Sequence, residues 1–240
     1  MRRQFEYLET NGVAEAMFDF LRANGFSVDD LVTITRSQKK GHLAGATEFD
    51  ADNADIKLTL HHNFYFNWQD RMPRLRAGNA HVYNCYMNNT GALAAKNLRN
   101  AKVALISGGL GSYKFDVTLN GAISTEDGAV LVEKCHIIDT TNPLRNNQVD
   151  ANNASYTGKI RAEDTIYTLN GSTFRGDTED LGSTLVPVPA PLKPFSWNGF
   201  TNLPYTYPVN DPSTIATTIA NNAGQGVIFW AKTNWFKTTY

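Results

Sequence analysis

The chain has 240 residues, 42% of them hydrophobic and 19% charged, with a formal net charge of −1. That length can bury a core of its own in one large all-β domain or two small ones, and the near-neutral charge gives no electrostatic reason to expect nucleic acid or an anionic membrane as partner. No apolar run approaches the ~20 residues of a membrane helix, residues 1–30 lack the tripartite pattern of a signal peptide, and the two cysteines, Cys85 and Cys135, have neither the number of a disulfide scaffold nor the spacing of a zinc site.

Along the chain, Glu15 and Asp19 come first, four residues apart. This spacing suits one exposed face of a short helix over 13–23, and it also suits two carboxylates on a cation, although calcium prefers six to eight oxygens and two side chains do not complete such a site. Lys40 follows on a turn, Lys39-Lys40-Gly41-His42, with Lys39 as its competitor if the register slips. Asp50, Asp52 and Asp55 read as loop solvation. A strand-like alternation, Leu58-Thr59-Leu60-His61-His62-Asn63-Phe64-Tyr65-Phe66, then runs into Arg71-Met72-Pro73-Arg74-Leu75-Arg76. By themselves these arginines read as a solvated charged face. The segment Ala80-His81-Val82-Tyr83-Asn84-Cys85-Tyr86 repeats the strand pattern, with Cys85 falling 22 residues after Asn63.

A period of about 20–30 residues with one strand pattern per repeat signals a solenoid. Val130-Leu131-Val132-Glu133-Lys134-Cys135-His136-Ile137 is the next copy, 50 residues on, with a loop over 88–112 and a short strand near 113–119 in between; Phe26-Ser27-Val28-Asp29-Asp30-Leu31 is a weaker one. Stacked parallel strands bring equivalent turn residues into ladders, which accounts for His61, His62 and His81 as mutually satisfied polar residues. Tyr65, Trp68 and Tyr83 read as core or stacking residues. The predicted architecture is all-β: a right-handed parallel β-helix in a single domain over 1–240. Rungs and active face occupy about 13–142, and peripheral loops about 143–240. These include an extended arm at 184–210, rich in proline and aromatics as a disordered linker is not. A short helix over 212–223 follows, with Asp211 as N-cap, Pro212 in its first turn and Gly224 as its stop.

The run from His61-His62-Asn63 through Arg71-Met72-Pro73-Arg74-Leu75-Arg76 to His81-Val82-Tyr83-Asn84 resembles the catalytic segment of the family 1 polysaccharide lyases, the pectate and pectin lyases. Asn142-Pro143-Leu144-Arg145, Pro194-Phe195-Ser196-Trp197, and Pro204-Tyr205-Thr206-Tyr207 with Asn222-Ala223-Gly224 look like the C-terminal half of bacterial members. The resemblance implies eliminative, calcium-assisted cleavage of (1→4)-α-D-galacturonan in pectate. Arg71 would be the base, Lys40 and Arg76 would bind substrate carboxylates, and Glu15 with Asp19 would ligate Ca²⁺. Two alternatives stay open: a pectin lyase acting on methyl-esterified pectin, and an inactive β-helix that only binds polysaccharide. The resemblance further implies an N-terminally truncated member, because relatives carry further rungs, a cap and a Trp-x-Asp-His motif upstream. Such a chain is expected to be a monomer able to associate through its truncated end, and a secreted one by family habit. The cysteines fall where relatives place the second asparagine of Asn-Asn steps. They either stack in adjacent rungs, within disulfide reach, or stand as two buried thiols.

Overall fold

The computed structural model describes residues 40–45, 47–94, 96–97, 118–146, 157–179 and 192–222, together with Ala23. The copy expected at 26–31 and most of the strand expected near 113–119 lie outside them. The chain divides into two compact units, Gln38–Thr90 with Thr118–Tyr240, and Met1–Ser37 with Gly91–Val117. In the latter, 91–94 and 96–97 are helical where a loop is predicted over 88–112. All elements named below lie in the former.

That unit is a right-handed parallel β-helix. Its first rung is β1 (Leu43–Ala44), a 3-10 turn (Ala51–Asp55), β2 (Lys57–His61) and β3 (Phe64–Phe66). The second is β4 (Arg74–Arg76), β5 (Asn79–Tyr83) and β6 (Tyr86–Asn88); the third is β7 (Asn120–Thr125), β8 (Ala129–Glu133) and β9 (His136–Ile138). A fourth follows, β10 (Asn142–Arg145) with the long β11 (Lys159–Leu169), so the coil continues past the expected end of the rungs near 142. β1, β4, β7 and β10 form one parallel sheet. β2, β5 and β8 pair in parallel up to the first half of β11, while β3, β6 and β9 pair up to its second half.

Register explains the core. Leu58, Ala80, Val130 and Ile160 occupy one column, and Leu60, Val82, Val132 and Ala162 the next. Tyr65, Met87, Ile137 and Tyr167 make a third column beyond the turn. All of these face one apolar interior. Because strand side chains alternate, the intervening residues Thr59, His81, Leu131 and Arg161 face outward.

The corner between these two columns of strands is a ladder. His62, Asn84, Lys134 and Asp164 all have positive φ, from 42° to 54°, and the left-handed turn aims their N–H groups at the next rung: Asn84 N donates to the Glu133 carbonyl at 3.0 Å and Lys134 N to that of Glu163 at 2.9 Å. Beside them the Cys85 N–H donates to Cys135 Sγ, and the Cys135 N–H to Thr165 Oγ1, each at 3.3 Å. The cysteines therefore stand in adjacent rungs, both buried and both free.

The coil ends in a hairpin. β12 (Ser172–Glu179) folds back antiparallel on β11 through Asn170-Gly171, whose φ of 51° and 79° suit the tight two-residue turn that Asn-Gly favours. The arm then crosses the outward face of β5 and β8, where Trp197 packs on Ala129 and Leu131 with Phe195, Phe200 and Leu203 around it. Burying side chains of this size stabilises by about 1.5–3 kcal/mol each. A polar network locks the arm further along. The Tyr207 hydroxyl and His81 Nε2 both donate to Glu133 Oε2, at 2.5 and 3.1 Å. In that tautomer His81 Nδ1 accepts from the Tyr205 hydroxyl at 2.9 Å. Helix α1 (Pro212–Asn222) docks Ile215 and Ile219 on Tyr86. Its cap is Asp211, whose carboxylate accepts from Ser213 N at 2.8 Å and from Arg175, which also grips Asp164.

Two predictions follow from these contacts. Cys135 is pushed up by burial first and by Cys85 second, and both cysteines are buried and free, so burial should shield both thiols from a thiol reagent in the folded protein, and the unfolded, unreduced chain should titrate two free thiols. Fewer than two would place a bridge between the rungs.

The second concerns acid. Burial alone would raise Glu133, but the hydrogen bonds from His81 and Tyr207 outweigh it and hold the carboxyl below its ordinary value; hydrogen bonds from Ser213 and Arg175 hold Asp211 well below its own. A depressed carboxylate stabilises the fold above its unfolded pKa, about 4, and this contribution is lost as pH falls through the folded value. Amides of 195–210 should therefore lose hydrogen-exchange protection in acid before those of β5 and β8 do. In Glu133→Gln the arm's loosening should become less dependent on pH; an unaltered profile would show that Glu133 does not latch the arm.

Candidate active site

The arginines lie on β4 and on the segment that leads into it from β3. Alternation puts Leu75 into the core and sends Arg74 and Arg76 to the opposite face of β4, where Arg74 is level with Leu43 on β1 and Ile123 on β7. Arg71 precedes the strand with φ of 69°, an unfavourable region for a side chain of its size. Backbone contacts hold it there: Met72 N donates to the Gly121 carbonyl at 2.9 Å, and the Arg71 carbonyl accepts from His42 N at 2.9 Å.

Lys40 sits in the next rung. Gly41 N donates to the Asp70 carbonyl at 2.8 Å, so the chain bearing Lys40 runs against the one bearing Arg71, with the Lys40 side chain exposed. Only glycine fits at 41. A Cβ there would lie 2.3 Å from the Arg71 carbonyl oxygen and 2.5 Å from Trp68 Cε3.

The three arginines differ in environment. Arg71 is partly open, its side chain 17% accessible, with Nε 3.6 Å from Asp70 Oδ2. Asp70 is fixed in turn by Asn120 Nδ2, which donates to its Oδ1 at 3.0 Å, and Asn142 Nδ2 donates to Asn120 Oδ1 at 3.0 Å. Arg74 is 3% exposed. Among the described residues its Nε and Nη2 have no hydrogen-bond acceptor, and Arg71 Nε likewise has none; the nearest carboxylate to Arg74 Nη2 is that of Glu48, with Oε1 at 3.9 Å. Burial, and then the charges of Arg76 and Arg71, push the Arg74 guanidinium below its ordinary value. Arg76 is buried and held by its neighbours: Nη1 donates to the Gly45 carbonyl at 2.9 Å, Nη2 to Glu48 Oε1 at 2.7 Å, and Nε lies 3.4 Å from Glu126 Oε1. A solvated charged face is therefore wrong for Arg74 and Arg76, since both are covered.

Of the residues expected at the site, Lys40 and Arg71 are thus brought together where the chain enters β1 and β4, while Arg76 stands at the far end of β4 beside Gly45, engaged by two carboxylates. Glu15 and Asp19, expected as metal ligands, lie outside the described residues. Among the described residues no group of three or more His, Cys, Asp or Glu could hold a metal ion. Asp70, Asn120, Glu48 and Glu126 escaped the sequence reading. Asp70 adjoins Arg71 in sequence and was accessible to inspection; the others arrive only through register. His81 and His62 are absorbed structurally, the first by Glu133 and Tyr205, the second through Nε2 by Asn210 Oδ1 at 2.9 Å.

The family model described as pectate lyase matches residues 27–228. The chain is 48% identical over 143 residues to pectate lyase B of Paenibacillus amylolyticus, covering 59% of this chain and 36% of that protein. It is 24% identical over 205 residues to pectate lyase D of Dickeya chrysanthemi, covering 82% of this chain and 44% of the other. Among solved structures, the pectate lyase pelN from Paenibacillus sp. 0602 superposes with a TM-score of 0.77 at 53% identity, over 99% of this chain and 54% of that one. This chain thus spans about half or less of each relative's length.

The contact of Gly41 with Arg71 and Trp68 is testable. Gly41→Ala forces backbone against backbone and should destabilise the protein by about 1–3 kcal/mol, as overpacking does, read from the denaturant midpoint at unchanged m-value. A stability within experimental error of the parent would mean that Lys40 and Arg71 are not held together through this residue.

Proposed function

Because this chain belongs to the pectate lyase family, we propose that it supports eliminative cleavage of the galacturonan in pectate, with Arg71 as the base and Lys40 and Arg76 on substrate carboxylates. The observation that carries this reading is the cation-crowded turn. Buried Arg74 and half-buried Arg71 present N–H groups with no hydrogen-bond acceptor among the described residues, beside exposed Lys40. Unmet donors on charged groups are costly, and a carboxylate polymer supplies acceptors at regular intervals.

The reaction removes the proton on C5 of a galacturonate and breaks the C4–O bond. The C5–H electron pair becomes the C4–C5 double bond, the proton passes to Arg71 acting as the neutral guanidine after losing one of its own protons to solvent, and the departing glycosyl oxygen is protonated from solvent. A guanidinium has no lone pair for a proton and its neutral form is scarce, so the substrate proton must be acidified by cations at the neighbouring carboxylate. Lys40 and Arg76 are the groups of this chain proposed for that neutralisation. Arg76 would then exchange part of its contact with Glu48, an ion pair whose carboxylate is 48% accessible, for substrate. Calcium, with Glu15 and Asp19 as ligands by motif, would add further positive charge at the same carboxylate. Secretion, where the polymer is found, is part of this proposal and rests on family habit.

Arg71→Lys keeps the charge and loses the planar fork. It should lower kcat by about 10²–10⁴-fold, the range of general base catalysis, with oligogalacturonate binding retained, measured from the ultraviolet absorbance of the unsaturated product. A chelator should abolish turnover of polygalacturonate. Turnover of methyl-esterified pectin that survives chelation would assign the chain to the pectin lyases instead, and binding without turnover in the parent chain would leave it a polysaccharide-binding β-helix.

A further inference from the structure

A cleft of about 410 Å³ opens where β11 begins, sharing no lining residue with the arginine turn, and its walls include Lys159, Arg161, Glu179, Lys193 and Phe195. Strand alternation makes it cationic: Ile160 and Ala162 enter the core, so Lys159 and Arg161 face out. Arg161 is buried, with a side chain 7% accessible, and its Nη2 donates to Glu163 Oε1 at 2.7 Å. Its guanidinium carbon stands 5.5 Å from the centroid of the Phe195 ring, and its Nε has no acceptor. Lys159 Nζ donates to the neutral Oδ1 of Asn198 at 2.7 Å and makes no ion pair among the described residues. Lys193 is exposed, and no ion pair engages it among the described residues. Among the described residues one carboxylate of the cleft wall, that of Glu179, opposes these three cations, since Glu163 is already taken by Arg161.

We infer that this cleft is a second binding site, separate from the arginine turn, for the uronate units of an acidic oligosaccharide. A buried guanidinium with an unmet donor calls for an acceptor, and cations of this kind favour a carboxylate. The volume falls in the range of organic-ligand sites, about 300–1,000 Å³, well beyond what a lone inorganic ion needs. Phe195 adds an apolar wall on which a sugar ring can lie. The choice of a uronate as ligand rests on the proposed function; the existence of an anion-binding cleft does not.

The test uses the full chain carrying Arg71→Lys, so that ligand is not turned over, titrated with trigalacturonate and followed by amide chemical shifts. Amides of Lys159, Arg161, Phe195 and Ser196 should move together. Lys193→Glu should weaken the apparent affinity read at these amides at least tenfold, and Lys193→Gln less, while the shifts at Gly41 and Asp70 keep their affinity. Lys193 is exposed, so both variants should fold, as unchanged spectra without ligand will verify. Shifts at the cleft without shifts at Gly41 and Asp70 would sink the proposed function and leave this site standing. No movement at the cleft amides, or movement indifferent to Lys193→Glu, would overturn the second site. Inorganic phosphate producing the same shifts at equal affinity would also overturn it, as a general anion site.

Discussion

Hydrogen bonding between successive parallel rungs fixes where almost every side chain of the coil can point. Each rung must offer its strand at the spacing of about 4.8 Å that parallel pairing demands, so equivalent residues come to lie directly above one another whatever the length of chain between them. Tyr86 lies over Phe64 after a short return, and His136 over Tyr86 after a far longer one. The insertion between β6 and β7 leaves the register of the rungs untouched. Corners at positive φ make this possible, because a left-handed residue turns the chain while its N–H still reaches the next rung.

Burial of charge at the arginine turn follows from the same geometry. β4 must place Leu75 inside, which commits Arg74 and Arg76 to the same outer face. Removing two guanidinium groups from water is expensive unless acceptors replace it. Arg76 has them in Gly45 and Glu48, with the Glu126 carboxylate as a further ion-pair partner. Arg74 is short of them, and its guanidinium is destabilised in its charged form by burial and by its neighbours. The face is thus electrostatically unfinished as the protein stands, which suits a surface completed by an anionic polymer.

On another face of the coil the problem is apolar. Ala129 and Leu131 point outward from β8, and a parallel sheet tolerates exposure of such residues poorly. The arm covers them with Trp197. Where the outward column turns polar, at His81, Tyr83 and Glu133, the arm changes chemistry to match and presents Tyr205 and Tyr207. Prolines keep this segment extended without donors to satisfy, so it can lie across the strands and need not pair with them.

The sequence alone determined the β-helix, because a strand pattern recurring after 22 residues, from Asn63 to Cys85, has few physical solutions other than stacked rungs. It determined the α1 helix through Asp211 and Pro212, whereas Arg71, Arg76 and Lys40 were marked by the resemblance of their segments to the family's motifs, since by themselves they read as exposed charges. The hairpin at Asn170-Gly171 was equally legible and went unread; with it the fourth rung was missed, since the 30 residues from Cys135 to Thr165 carry a serviceable but altered copy of the pattern. Only the tertiary structure decided that the cysteines stand in neighbouring rungs, because loop length says nothing about rung count. It alone decided that Arg74 and Arg76 are buried, and that Glu126 reaches Arg76 across 50 residues of sequence. These are properties of register. Register is set by hydrogen bonds between rungs, and residues that meet through it have no local sequence signal of having met.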